Sequence, residues 1–327
     1  MALLIAIVIF GLVFDYTNGF HDTANAIATS VSTRALSPRI AVLMAAGLNL
    51  VGALVSTSVA KTVGEGLVNT DLVTLPLVLS ALVGAITWNF VTWYFGLPSS
   101  SSQALFGGII GAMIAAAGLS GVLWGGVVKK IIIPMIGSPV IGFLFAFLLM
   151  TGLIWLVRKR QQGPVNKWFR RLQPISAGFM AFSHGANDAQ KTMGIIALAL
   201  FASGEIDTFY VPLWVKIVCA VAMALGTYSG GWRIIHTLGS KVIKLDPIHG
   251  FAAETAAASV IQLATHFGFP VSTTHTITAA IMGVGATKRF SAVRWGVAGN
   301  IAFAWVLTLP AAGLVAAGIY LAYTAIF

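Results

Sequence analysis

Four acidic side chains lie within or beside long apolar runs, where an ionised group needs a partner. They are Asp15, Asp22, Asp188 and Glu254. An Asp at the centre of a spanning helix costs roughly 2.5–3.5 kcal/mol on insertion scales. Several such acids together would cost about as much as the whole stability of a typical domain. These acids must therefore be protonated, paired or coordinated by cations.

In each half of the chain a carboxylate and an amide share one predicted helix face. The first set is Asp22, Asn25, Ala26 and Thr29, and the second is His184, Asn187, Asp188, Lys191 and Thr192. This i, i+3, i+4, i+7 spacing makes the side chains neighbours. Their oxygens are hard ligands that suit Na⁺, whereas a lone carboxylate of variable pKa suits H⁺. The alternative is interhelical hydrogen bonding without a ligand. The roles of Asp15 and Glu254 stay open.

Two proline-led segments offer several hydroxyl groups each. They are Gly96-Leu97-Pro98-Ser99-Ser100-Ser101-Ser102-Gln103 and Gly268-Phe269-Pro270-Val271-Ser272-Thr273-Thr274-His275. If a helix begins after each proline, its free N–H groups and positive dipole end lie at the tip of the segment. Hydroxyls and backbone N–H groups together can bind a tetrahedral oxyanion without arginine. The alternative is ordinary N-capping by Ser or Thr, worth about 1 kcal/mol.

The elements that position these residues are membrane helices. The 327 residues are 58% hydrophobic and 9% charged, with a mean hydropathy of +0.92, whereas a soluble domain carries about 25% charged residues. Apolar segments near the roughly 20 residues needed to cross a bilayer recur along the chain. We assign them to 1–31, 39–60, 72–95, 101–118, 131–157, 174–202, 210–230, 247–267, 271–287 and 295–325. The predicted fold class is an all-α polytopic membrane protein.

The net charge of +10 is concentrated between apolar segments. The densest basic block is Arg158, Lys159, Arg160, Lys167, Arg170 and Arg171. This placement is typical of cytoplasmic loops under the positive-inside rule, so it argues against a nucleic-acid partner. We predict that residues 158–173 form a cytoplasmic basic linker and that the protein lies in the cell membrane.

The linker divides the segments into five and five, and the halves resemble each other. The two proline-led tips align, Gly19-Phe20-His21-Asp22 aligns with Gly185-Ala186-Asn187-Asp188, and Trp124-Gly125 pairs with Trp295-Gly296. An odd number of crossings per half turns the second half upside down. We therefore predict inverted repeats at 1–157 and 174–327, with a site at the midplane between them. The segments around Pro98 and Pro270 are either full spans or re-entrant hairpins, and their Ser/Thr-rich tips, which would be poor loops at the membrane surface, favour hairpins.

The motifs around both aspartates resemble the PiT family of inorganic phosphate transporters, especially its bacterial branch. They read Asn18-Gly19-Phe20-His21-Asp22-Thr23-Ala24-Asn25-Ala26 and Ser183-His184-Gly185-Ala186-Asn187-Asp188-Ala189-Gln190-Lys191. The resemblance covers nearly the whole chain. It implies a homodimeric phosphate transporter driven by Na⁺ or H⁺, with no cofactor beyond the coupling ion and no enzymatic activity.

The resemblance also implies roles for individual residues. Asp22, Asn25, Asn187 and Asp188 would line the site, and Ser101, Ser102, Gln103, Thr273, Thr274 and His275 would close on phosphate and the ions. Phosphate contacts are expected from these six tip residues and Asn25. Sodium contacts are expected from the two aspartates, the two asparagines and the hydroxyls of Ser102 and Thr274. Gln103 stands where bacterial members often have His, which favours Na⁺ over coupling through a His pair.

Two other function classes remain open at the level of sequence. A passive anion channel is one, although buried carboxylates argue against a plain anion pore. An intramembrane hydrolase is the other, with Ser272 or Thr274 beside His275, or Ser183 beside His184.

Overall fold

A computed structural model describes residues 1–238, 242 and 245–326; of residues 23 and 24 it describes the backbone only. Twelve helices account for most of this part of the chain. They are α1 (Ala2–Ser32), α2 (Pro38–Val55), α3 (Ser58–Glu65), α4 (Leu75–Tyr94), α5 (Ser101–Ala117), α6 (Trp124–Val157), α7 (Gln162–Ala202), α8 (Leu213–Ser229), α9 (Trp232–His236), α10 (Pro247–His266), α11 (Thr273–Ala286) and α12 (Trp295–Ile326). Five of them, α1, α2, α4, α6 and α12, are long and apolar enough to cross a membrane. The predicted helical membrane protein is confirmed.

The described helices follow the same order of lengths in each half. A long helix comes first, a medium and a short one follow, then a pair that flanks the proline-led tip, and finally a long helix. Packing crosses between the halves: α1 packs on α8 and α2 on α7, while α5 packs on α12 and α6 on α11. Because every such contact has a counterpart, the two halves build one bundle. The inverted orientation and the boundaries at 1–157 and 174–327 stay predictions.

The linker at 158–173 stays a prediction, and within it the chain is helical from Gln162 onward. Val165, Phe169 and Leu172 lie on one face of α7 and pack against the core. That stripe has helical spacing, and Pro164 is tolerated because it lies in the first turn. Lys167, Arg170 and Arg171 therefore lie on the first turns of α7, whereas Arg158, Lys159 and Arg160 lie between α6 and α7.

The predicted segment 39–60 is broken into two helices. Helix α2 ends at Val55, and α3 begins at Ser58. The side-chain oxygen of Gln190, on α7, accepts hydrogen bonds from the backbone N–H groups of Val59 (2.8 Å) and Ala60 (3.3 Å). A helix start leaves such groups unpaired, so a partner from a distant helix stabilises the break.

Helices α5 and α12 approach so closely that glycine is required at their contact. A Cβ atom on Gly107 would lie 2.2 Å from the carbonyl oxygen of Leu309, and one on Gly111 would lie 2.1 Å from that of Gly313. The Gly107–Gly111 spacing is the small-residue pattern of packed membrane helices. In the other half, Gly283 meets the Phe143 carbonyl of α6 in the same way at 2.3 Å.

We expect Gly111→Val to destabilise the protein by about 1–3 kcal/mol, because overpacking forces the two backbones apart. Gly137→Val is the matched control, since a Cβ atom at Gly137 on α6 meets nothing within 4 Å. Unfolding of both variants in detergent measures the effect. Equal stability of the two would contradict the close α5–α12 contact.

Candidate functional site

Both proline-led tips begin a helix, as the sequence predicts. Helix α5 begins at Ser101 after the N-cap Ser100, and α11 begins at Thr273 after the N-cap Ser272. Each N-cap hydroxyl accepts from the N–H three residues later, at 3.2 Å. Capping is thus done by the serine just before each helix. Of the hydroxyls at the first two positions of each helix, those of Ser102, Thr273 and Thr274 contact other partners.

The tip of the second half contacts the aspartate of the first. The Thr274 hydroxyl donates to Asp22 Oδ1 at 3.0 Å and accepts from the Asn25 amide at 2.8 Å. His21 Nδ1 lies 3.0 Å from the same carboxylate oxygen, and His21 Nε2 lies 3.1 Å from Thr92 on α4. Helix α1 therefore carries Asp22 and Asn25 to the start of α11.

The second aspartate has a richer set of partners. The Lys191 ammonium, one helical turn further along α7, donates to Asp188 Oδ1. The Thr273 hydroxyl donates to Asp188 Oδ2 at 3.0 Å. Lys191 also donates to the Ser102 hydroxyl at the start of α5, so α7 is connected to both tips.

The two aspartates converge at one point of the bundle. One ligand atom each from Asp22, His184 and Asp188 lies within 4.8 Å of the others. All three side chains are at most 2% exposed. His184 Nε2 is 3.3 Å from Asp188 Oδ2, and its Nδ1 is 3.0 Å from the Asn49 side-chain oxygen. Two carboxylates this close repel each other unless a cation or proton lies between them.

The two predicted asparagine ligands are buried nearby with free oxygens. Asn187 donates to Thr265 at 2.8 Å and to the Phe269 carbonyl at 3.2 Å. Neither Asn25 Oδ1 nor Asn187 Oδ1 accepts a hydrogen bond from the described residues. A buried amide oxygen without a donor is costly, and a bound cation would satisfy it.

Gln103 and His275 have their described contacts elsewhere. The Gln103 amide contacts the sulfur of Met135, and the His275 ring stacks on Trp305 with centroids 3.9 Å apart. Both line a largely apolar cavity of about 500 Å³, which the exposed Val306 also lines. These positions therefore do not support the prediction that Gln103 and His275 bind phosphate. Ser101 is buried, and its hydroxyl has no partner among the described residues.

Asp15 and Glu254 are buried and bonded between helices. Thr192 of α7 donates to Asp15. Glu254 of α10 accepts from hydroxyl and amide groups of α1 and α7, which are Thr29, Ser30, Gln173 and Ser176. These hydrogen bonds join neighbouring helices, which fits the alternative of interhelical hydrogen bonding without a ligand.

In the part of the chain that the structure describes, no hydrogen bond joins the hydroxyl of Ser183, Ser272 or Thr274 to the ring of its neighbouring histidine. The Ser272 hydroxyl caps α11 through the backbone N–H of His275, while the His275 ring stacks on Trp305. His184 contacts Asn49 and Asp188. A nucleophile needs a base within hydrogen-bond reach, and neither serine has one among the described contacts.

Three residues of the site were not predicted as ligands. His21, His184 and Lys191 each contact a central aspartate. The helical spacing in the sequence could have indicated two of them, because His184 and Lys191 lie on the same helix face as Asp188, at i−4 and i+3. His21 adjoins Asp22 in sequence, where a shared face is not expected.

The fold and the buried acid pair define a polytopic α-helical membrane protein that carries ionisable groups between its two halves. The sequence profile of the phosphate transporter family matches residues 18–316. The chain therefore belongs to the phosphate transporter family, which confirms the resemblance seen in its motifs.

The chain is also similar to individual proteins over nearly its full length. It is 52% identical over 322 residues to a probable low-affinity inorganic phosphate transporter of Rhizobium meliloti, covering 98% of this chain and 96% of that protein. It is 46% identical to one of Bacillus subtilis, covering 100% and 99%. A solved structure of a sodium-dependent phosphate transporter superposes with a TM-score of 0.91 at 26% identity, covering both chains entirely.

Proposed function

We propose that the protein is a secondary active symporter that carries inorganic phosphate together with a cation, and that the cation is Na⁺. The observation that carries this proposal is the convergence of Asp22 and Asp188 within 4.8 Å, with the start of α11 bonded to both aspartates. The R. meliloti and B. subtilis relatives, named as inorganic phosphate transporters, support the substrate. The sodium-dependent structural neighbour supports the ion.

The acids supply the cation site. A cation held between Asp22 and Asp188 would relieve their repulsion and gain the free oxygens of Asn25 and Asn187. Carboxylate and amide oxygens are ligands of hard cations. The bound charge would in turn attract an anion to the same place, which couples the two substrates.

The tips supply donors for the anion. The first N–H groups of α5 and α11 lack intrahelical partners, and the helix dipoles make both ends positive. The hydroxyls of Ser101, Ser102, Thr273 and Thr274 lie at these ends. The start of α11 is bonded to α1 of the opposite half and to α7 of its own half, and the start of α5 is bonded to α7 of the opposite half. A movement between the halves would therefore open and close the site by alternating access.

Membrane location and assembly follow from the same proposal. The outward face of α6 is apolar and exposed, at Ile133, Ile136, Val140 and Leu144, which fits contact with lipid. We propose the cell membrane as the location and a homodimer as the assembly. The mass of the purified protein in detergent, determined by light scattering, tests the dimer.

Uptake of radiolabelled phosphate into proteoliposomes tests the function. One arm has an inward Na⁺ gradient and the other an inward proton gradient. We expect accumulation above equilibrium only with Na⁺. Accumulation only with the proton gradient would identify H⁺ instead of Na⁺ as the coupling cation. Flux that ignores both gradients would instead indicate a passive anion channel.

Removing a tip hydroxyl should weaken phosphate binding more than cation binding. We expect Thr274→Val and Ser102→Ala to lower phosphate affinity about 5–15-fold, the equivalent of one hydrogen bond of about 1–1.5 kcal/mol. Thr278→Val is the matched control, since Thr278 is buried one turn further along α11 and its hydroxyl has no partner among the described residues. Separate binding titrations for phosphate and Na⁺ measure the effect. Loss of cation affinity alone would assign the tips to the ion.

A further inference from the structure

The two halves of the site differ at one equivalent position. Asn25 follows Asp22 by three residues, and Lys191 follows Asp188 by three residues. The alignment of the tips pairs Thr274 with Ser102. The Asn25 amide donates to Thr274, and the Lys191 ammonium donates to Ser102. The same contact is therefore made twice, once by a neutral amide and once by a cation.

The Lys191 ammonium has the surroundings of a bound cation. Its three acceptors are a carboxylate oxygen of Asp188, the hydroxyl of Ser102 and the carbonyl oxygen of Val271, the last at 2.8 Å. An ammonium has three donors and no acceptor, so all of its donors are used. The side chain is 1% exposed. Oxygens of these three kinds are also the ligands that hard metal cations take.

The charges of the converged site leave room for one further cation. Asp22 and Asp188 contribute two negative charges, and Lys191 contributes one positive charge. His21 and His184 contact the acids through ring nitrogens and need no charge to do so. Asp15 is bonded to Thr192 instead. With Lys191 in place, one monovalent cation makes the cluster of Asp22, Asp188 and Lys191 neutral.

We propose that the Lys191 ammonium permanently occupies the position that a second coupling cation would take, so that the protein carries one mobile cation per site. This inference rests on the proposed symport. The mobile cation binds at the Asp22 side, where Asn25 leaves an amide oxygen free. A tethered ammonium neutralises Asp188 in every state of the carrier. It helps to attract the anion, but it cannot draw energy from the ion gradient.

Counting bound and transported cations in wild type and three variants tests the inference. Lys191→Asn recreates the side chain of the first half, Lys191→Arg keeps the charge, and Lys61→Asn is the control at an exposed lysine. We expect the Na⁺ dependence of phosphate uptake to have a Hill coefficient of about 1 in wild type, Lys191→Arg and Lys61→Asn. In Lys191→Asn it should rise toward about 2, because the coefficient is limited by the number of sites.

Equilibrium binding of ²²Na⁺ to the purified proteins gives the same count without transport. We expect one ion per wild-type chain and two per Lys191→Asn chain. This readout is independent of phosphate uptake, so a failure of the proposed symport would leave it intact. Two ions on the wild type, or equal counts for wild type and Lys191→Asn, would overturn the inference. A purely structural role of Lys191 would change stability but not the count.

Discussion

Asp22→Asn should abolish Na⁺-driven accumulation of phosphate while the protein stays folded. The Asn side chain keeps an oxygen that can accept from Thr274, so the contact between α1 and α11 survives. It removes a full charge from the cation site. At about 4 Å and an effective dielectric constant of about 20, that charge is worth roughly 4 kcal/mol, which corresponds to a loss of about 1000-fold in cation affinity.

Proteoliposome uptake and ²²Na⁺ binding measure the two parts of this prediction. Asp207→Asn is the control, because it makes the same chemical change at an exposed acid. Elution of the variant as a single sharp species in detergent would show that it is folded. Wild-type accumulation by a folded Asp22→Asn protein would contradict the assignment of Asp22 to the coupling site.

Asp188→Asn should act differently, because the second aspartate is paired with Lys191. Both side chains are at most 1% exposed. Removing one partner of a buried ion pair leaves the other charge uncompensated and costs about 3–5 kcal/mol. The sequence alone suggests that both aspartate variants would fold equally well. The structure predicts instead that Asp188→Asn is the less stable of the two.

The double variant Asp188→Asn/Lys191→Met separates charge imbalance from lost packing. Replacing both members of a buried pair is often close to neutral, so we expect most of the lost stability to return. Transport should not return, because one acid of the site is still missing. Unfolding titrations in mixed micelles give the stabilities of both single variants and the double variant. A double variant as unstable as Asp188→Asn would show that charge imbalance is not the cause.

The sequence by itself determined most of the helices. Apolar segments at 101–118 and 247–267 became helices Ser101–Ala117 and Pro247–His266, because a chain in lipid must satisfy its backbone internally. Pro98 and Pro270 marked where the two tip helices begin. Motifs around Asp22 and Asp188 indicated the family, since their residue types and spacing are local properties of the chain.

Local spacing failed where a distant partner determines the structure. The break between α2 and α3 depends on the side chain of Gln190, and no neighbour in sequence reveals it. The helical start of α7 was missed for a different reason. This stretch is rich in charged residues, so it was interpreted as a linker. Its apolar stripe of Val165, Phe169 and Leu172 nevertheless packs against the core as one face of a helix.

Only the tertiary structure decided which groups meet at the site. Spacing puts Asp188 and Lys191 on one helix face, but it does not indicate that Ser102, from the other half, completes the ammonium's shell. It likewise does not separate Thr274, which contacts Asp22, from its neighbour His275, which stacks on Trp305. Consecutive residues of a helix point about 100° apart. Their partners therefore depend on how the halves pack, which is a property of the whole fold.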